Sequence, residues 1–137
     1  LSLRSMVSNV STMTRFFLVL LIALPFSLFS QDYAGLTKAF SHGDASAIAN
    51  MFAEQVELSI ENDVVSESAI DSQKELRTYF MNNTPQSFKM VHNGVSGKNV
   101  HYMIGELTTS KGGSRITTYL VEKGETFEIQ SIEIEAN

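Results

Sequence analysis

The sequence contains no cysteine. That excludes disulfides, thiolate metal sites, thiol nucleophiles and cysteine lipidation. It has two prolines, Pro25 and Pro85, so few positions break an element by force. Charge is almost absent from the first thirty residues, where Arg4 and Arg15 stand alone. All fifteen acidic residues lie at or after Asp32, against eight basic ones, so the part after Ser30 carries a net −7. Phosphate backbones and anionic lipid surfaces repel such a domain, and nucleic-acid binding is not expected. The sequence also lacks a G-x-S-x-G elbow, a P-loop, a Rossmann glycine pattern, an HExxH motif, internal repeats and low-complexity tracts. No cofactor is expected.

A core is within reach. The chain has 137 residues, enough for one domain, and 43% of them are hydrophobic. Arg15 precedes the apolar run Phe16 to Leu24, then Pro25 and the small residues ending at Ser30. A positive flank, a short apolar run and a small residue before a polar chain describe a secretory signal peptide. The run is shorter than the roughly 20 residues of a spanning helix. Residues 1–30 are therefore expected to be a leader cleaved after Ser30, with residues before Met13 an upstream extension. Residues 31–137 would form one exported domain, periplasmic or extracellular, with no stable membrane insertion after cleavage. Retention of the leader would make it a membrane-anchored accessory protein instead.

The most informative stretch is Gly43 to Glu61. Ile48 and Phe52 stand four apart, on one helix face, and Val56, Leu58 and Ile60 then alternate with polar residues as in a half-buried strand. Before it, Tyr33, Leu36 and Phe40 predict a helix over Asp32 to Ser41, stopped by Gly43. Asp44 sits where an N-cap belongs. Asn62-Asp63 is a turn signal and Val64-Val65 a short strand; Ser66 or Ser68 opens the next helix, and Ser68 with Asp71 has capping-box spacing. That helix runs to about Asn82, ahead of Pro85.

Everything after Pro85 is strand signal. The strands are Ser87 to Val91, Val100 to Ser110, Ser114 to Glu122 and Thr126 to Glu135. Turns are expected at Asn93-Gly94, Ser96-Gly97, Lys111 to Gly113 and Lys123-Gly124. In the last strand Phe127 and Ile129 alternate, but Ile132 and Ile134 alternate on the opposite parity. A strand buried on one face cannot change parity, so a β-bulge near Gln130-Ser131 is predicted, bending the sheet. Gly105 is a further expected bend site.

This order resembles the NTF2-like, or cystatin-like, cone. The fold class is α+β, about three N-terminal helices on a curved antiparallel sheet. The resemblance is carried by Gly43-Asp44 through Ile60, by Leu76 to Phe80 ahead of Pro85, by Tyr102 to Gly105 and by Phe127 to Glu135. More closely, residues 31–137 are similar to an exported Bacteroidetes family of unknown function, the DUF4783 type. The resemblance implies a pocket between sheet and helices, and often a dimer through the sheet's open face. It implies no reaction.

Candidate chemistry is sparse. Tyr102, Ile104 and Glu106 share one strand face, and His101, Met103 and Leu107 the other, with apolar residues on both. Tyr102 and Glu106, if inward, could transfer protons; the alternative is a core-edge tyrosine and a solvated glutamate. His42, His92 and His101 are the only histidines, and their spacing makes no metal site. Glu57, Glu61, Glu122, Glu125, Glu128, Glu133 and Glu135 read as the solvated face and rim of a one-sided sheet. Two functions follow from this reading. One is a non-enzymatic module that takes a small ligand or a protein partner, with Phe52, Tyr79, Phe80, Phe88, Met90, Tyr102 and Tyr119 lining the pocket. The other is an isomerase- or dehydratase-type enzyme using Tyr102 and Glu106.

Overall fold

The computed structural model describes residues 27–137, with side chains from residue 32 onward. The expected leader lies outside the described residues except for its last four, which open the first helix. Among the described residues, no helix is long and apolar enough to cross a membrane.

Helix α1, Ser27–His42, buries Leu36, Ala39 and Phe40 on one stripe, the i, i+3, i+4 spacing of a core-facing face. It stops at Gly43, whose φ of 62° suits the left-handed C′ position. The Asp44 amide donates to the Ala39 carbonyl at 2.9 Å and the Gly43 amide to Phe40 at 3.1 Å, a Schellman closure. Asp44 then turns its carboxylate to the Ala47 amide at 3.0 Å and caps α2, Ala45–Ala49. One dipeptide thus ends one helix and starts the next.

Helix α2 has only five residues. Phe52, expected on it, instead begins strand β1, Phe52–Ile60. Ile48 closes the helical part by accepting from the Met51 amide, and Met51 already accepts from Ile129 in the sheet. Val56 and Leu58 are fully buried, as their alternation predicts. The hairpin to β2, Asp63–Ser66, turns on Glu61 and Asn62, one residue earlier than expected. Both have positive φ, 53° and 68°, the twist that a two-residue hairpin requires.

Helix α3, Ala69–Asn82, is capped by Ser68, which accepts from the Asp71 amide at 3.1 Å. Leu76 and Phe80 face the core. Ser72 is buried with them and donates to the Val56 carbonyl at 2.9 Å, tying α3 to β1.

The remaining strands are β3, Pro85–Gly97, β4, Val100–Thr109, β5, Gly112–Lys123, and β6, Thr126–Ala136. The six strands form one curved sheet in the order β2-β1-β6-β5-β4-β3. It is not wholly antiparallel, because β1 runs parallel to β6. The other pairings are antiparallel, as expected. The bulge in β6 is present: Tyr119 pairs with Ser131 and Leu120 with Ile129, which leaves Gln130 as the extra residue. Phe127, Ile129, Ile132 and Ile134 all stay buried because of it.

Asn93-Gly94 and Ser96-Gly97 are not turns. Strand β3 runs through both to a turn at Lys98 and Asn99. It absorbs three register shifts on the way. Gly94 gives room to a ring rather than making a turn, since a Cβ there would stand 2.6 Å from the Tyr102 hydroxyl oxygen. Gly105 has a similar role inside the cone. The Phe88 ring lies against it and stacks on Phe40 with ring centroids 5.0 Å apart. Phe40, Ile48, Met103, Leu107, Ile116 and Leu120 fill the centre of the cone and are at most 1% exposed.

Candidate functional site

The inward face of β4 carries His101, Met103, Leu107 and Thr109, and Met103 and Leu107 are buried in the core. Tyr102, Ile104 and Glu106 therefore lie on the outer face. The proton-transfer pair expected from Tyr102 and Glu106 is not inside the cone, and each residue has other partners. The Tyr102 hydroxyl bonds His92 Nε2 at 2.8 Å. Glu106 accepts from Arg115 Nε at 3.2 Å and from the Asn137 side-chain amide at 2.9 Å. Tyr119 faces Tyr102 across β5 on this same outer face.

The other expected lining residues are divided. Phe80 and Phe88 are buried core, and Phe52 packs half-buried against it. Tyr79 is half-buried, its hydroxyl 2.9 Å from Ser114 Oγ. Of the seven, Met90 lines an open, mainly apolar groove. That groove, about 570 Å³, lies between α1 and β3. Helix α1 contributes Tyr33, Ala34, Thr37, Lys38 and Ser41, one face at helical spacing, and β3 contributes Met90 and Asn93. The bulge between Met90 and His92 falls between its two strand residues. A bulge re-aims the strand locally.

Tyr33 joins the groove to a second feature, a pair at the end of the sheet. His101 Nε2 and Glu122 Oε1 are 2.6 Å apart, and these side chains are 19% and 34% exposed. The Phe127 ring lies beside them, 4.8 Å from His101 and 5.5 Å from Tyr33 by ring centroids. Burial raises the Tyr33 phenol above its ordinary value, and the Glu122 carboxylate adds to the rise. Glu122 is therefore no rim residue in solvent, as its alternation suggested. The signal for this pair lay in the hairpin register. With Thr109 opposite Gly112, His101 falls opposite Leu120, and Glu122 stands diagonal to it on the inward face.

Among the described residues, no three His, Asp or Glu side chains are placed to hold a metal ion. One oxygen-rich hollow, lined in part by Glu57, Ser59, Glu133 and Glu135, lies on the outer face of β1 and β6.

No curated protein matches the chain. Solved structures do. A DUF4783 family protein from Bacteroides fragilis superposes with a TM-score of 0.70 at 26% identity, over 75% of this chain and 96% of that one. One from Bacteroides ovatus gives 0.71 at 21%, over 76% and 94%. An NTF-2 like protein of unknown function from Silicibacter pomeroyi gives 0.57 at 13%, over 85% and 95%, a likeness of fold alone. The family model for the domain of unknown function DUF4783 matches residues 33–135. With its curved sheet, its α+β layering and that match, the chain belongs to the DUF4783 family and has an NTF2-like fold.

Proposed function

We propose that the protein is an exported, non-enzymatic module that binds a small amphipathic ligand in the groove between α1 and β3. The groove itself carries the reading. It is predominantly apolar, at about 570 Å³ it has the volume of small-molecule sites, and a few polar groups edge it. The cone centre, where an enzyme of this fold would hold its reacting groups, is occupied by fully buried apolar side chains. The test is an NMR titration of the purified chain with octanol. Saturable shifts of the Met90 methyl and the Tyr33 ring, with Tyr102 and Tyr119 on the opposite sheet face unmoved, support the reading. Absence of saturation, or equal shifts on both faces, refutes it.

Export rests on Arg15 and the apolar run after it. Mass spectrometry of the protein from its own cells should find Gln31 at the amino terminus, and a retained leader would favour the membrane-anchored alternative. The outer sheet face, with Tyr102, Ile104 and Tyr119 half-buried at its middle, is proposed for pairing of two copies. Sedimentation showing a monomer at every concentration would remove that part.

The His101–Glu122 pair favours a second reading, a proton-transfer enzyme of the isomerase or dehydratase type. An imidazole held by a carboxylate beside a phenol is a recurring acid–base arrangement. Turnover of a hydroxy-carbonyl panel that His101→Gln abolishes, with octanol binding unchanged, would establish it. No turnover across the panel would leave the binding module alone.

A further inference from the structure

We infer that the ligand of this groove is an amphiphile with an anionic, carboxylate-like head; the inference rests on the groove being the binding site. None of the residues lining the groove is acidic, in a domain that is otherwise strongly acidic. Its one charged side chain is Lys38, which is exposed and makes no ion pair among the described residues. Opposite it on β3, the Asn93 side-chain amide donates to Met90 Sδ at 3.7 Å. A thioether is a weak acceptor, so an oxygen acceptor would readily replace it at this exposed donor. An ammonium and a weakly engaged amide thus edge a largely apolar trough. The complementary molecule has an oxyanion at one end to take these donors and a hydrocarbon body to cover Tyr33 and Met90. A cationic head would meet Lys38 with like charge, and a neutral one would gain nothing from the hydrated ammonium.

The domain's overall field makes the test sharp. A net −7 after Ser30 attracts cations, so non-specific binding would favour a cationic amphiphile over an anionic one. Preference for a carboxylate has to come from the groove's own donors. The experiment compares octanoate, octanol and octyltrimethylammonium, which share one hydrocarbon length, with the Met90 methyl as the reporter. Octanoate should bind about threefold to fivefold more tightly than octanol, the range of a partly solvated ion pair. Octyltrimethylammonium should bind most weakly. In Lys38→Met the advantage of octanoate over octanol should vanish, and in Lys38→Glu the order of the two charged probes should reverse. Lys38 is exposed, so neither change removes a core contact.

Octanol matching or exceeding octanoate would overturn the head-group assignment and leave the groove as the site. Tightest binding by the cationic probe would do the same. A carboxylate preference that survives in Lys38→Met would overturn the assignment to Lys38. Failure of all three probes to move Met90 would overturn the groove reading and this inference together.

Discussion

Replacing Gly105 by alanine adds one carbon at the most crowded point of the sheet. A Cβ built there would stand 2.0 Å from Phe88 Cζ, 2.4 Å from Cε2 and 2.8 Å from Cε1. Ordinary carbon contacts lie near 3.5–4.0 Å, so the ring would have to retreat by about 1.5 Å. It has little room to do so, because Phe88 is 8% exposed and its ring stacks on Phe40, which is fully buried. The backbone at Gly105 does not resist alanine, since its φ is not positive. Overpacking of this kind costs about 1–3 kcal/mol, and the pinned ring puts Gly105→Ala at about 3. Restricting the unfolded chain returns about 0.4–1 kcal/mol, which leaves a net loss of about 2–2.5 kcal/mol. Urea unfolding followed by far-ultraviolet dichroism reads this directly. With a slope near ~1.5 kcal/mol/M, the midpoint should fall by about 1.5 M at unchanged slope. Gly94→Ala is the control. Its clash is with the tip of Tyr102, on the outer face, beside the half-buried Gly94 itself, and that ring can swing aside. It should cost less than about 0.5 kcal/mol, by the same unfolded-state gain. Phe88→Leu should relieve Gly105→Ala, so that the double variant is more stable than the sum of the singles by about 1 kcal/mol. A Gly105→Ala protein within 0.5 kcal/mol of the parent, on the scale of ordinary surface substitutions, would refute the account of ring against glycine.

Three other perturbations test separate parts. Gly43→Ala meets both a φ of 62° and a Cβ contact of 2.9 Å with Pro85 Cγ, and should lose about 1–2 kcal/mol in urea unfolding. Deleting Gln130 removes the extra residue and leaves Phe127, Ile129, Ile132 and Ile134 in strict alternation, each opposite its present partner on β5; the variant should keep a cooperative urea transition, and loss of cooperative unfolding would contradict the register. The phenol of Tyr33 holds its proton more tightly in the folded chain than the ordinary value of 10.0, so its contribution is complete below that pH and declines as pH rises through it. Parent and Tyr33→Phe should therefore lose stability in parallel up to about pH 10, and the parent alone should lose more above it. Phenolate absorbance of the native protein should show one fewer high-pH component in the variant.

Local chemistry was legible wherever one short segment decides it. The cap pair Gly43-Asp44, the Ser68 cap and the parity change across Gln130 each depend on residues within a few positions of one another, and each was readable without coordinates. The face of β4 was not. Tyr102 and Ile104 are as apolar as Met103 and Leu107, and the choice between them is made by what packs from afar: Phe88 over Gly105, and α1 over both. Asn93-Gly94 misled because a glycine in a polar dipeptide has two uses, a turn or a seat for a ring, and only the neighbouring strand distinguishes them. The groove was invisible for a related reason. Lys38 and Asn93 line it from a helix and a strand far apart in sequence. The His101–Glu122 pair could have been found from the hairpin, had its turn been placed at Ser110 and Lys111.

The parallel pairing of β1 with β6 sets the order in which this molecule can be finished. Val56 and Leu58 wait for a neighbour supplied by the final eleven-residue strand, so no partial chain released from the ribosome has a complete sheet. Such distant closure makes folding a late, slow event, on the order of milliseconds to seconds. A chain cut before Thr126 should stay open, exposing the β1 stripe to aggregation until the missing segment is supplied.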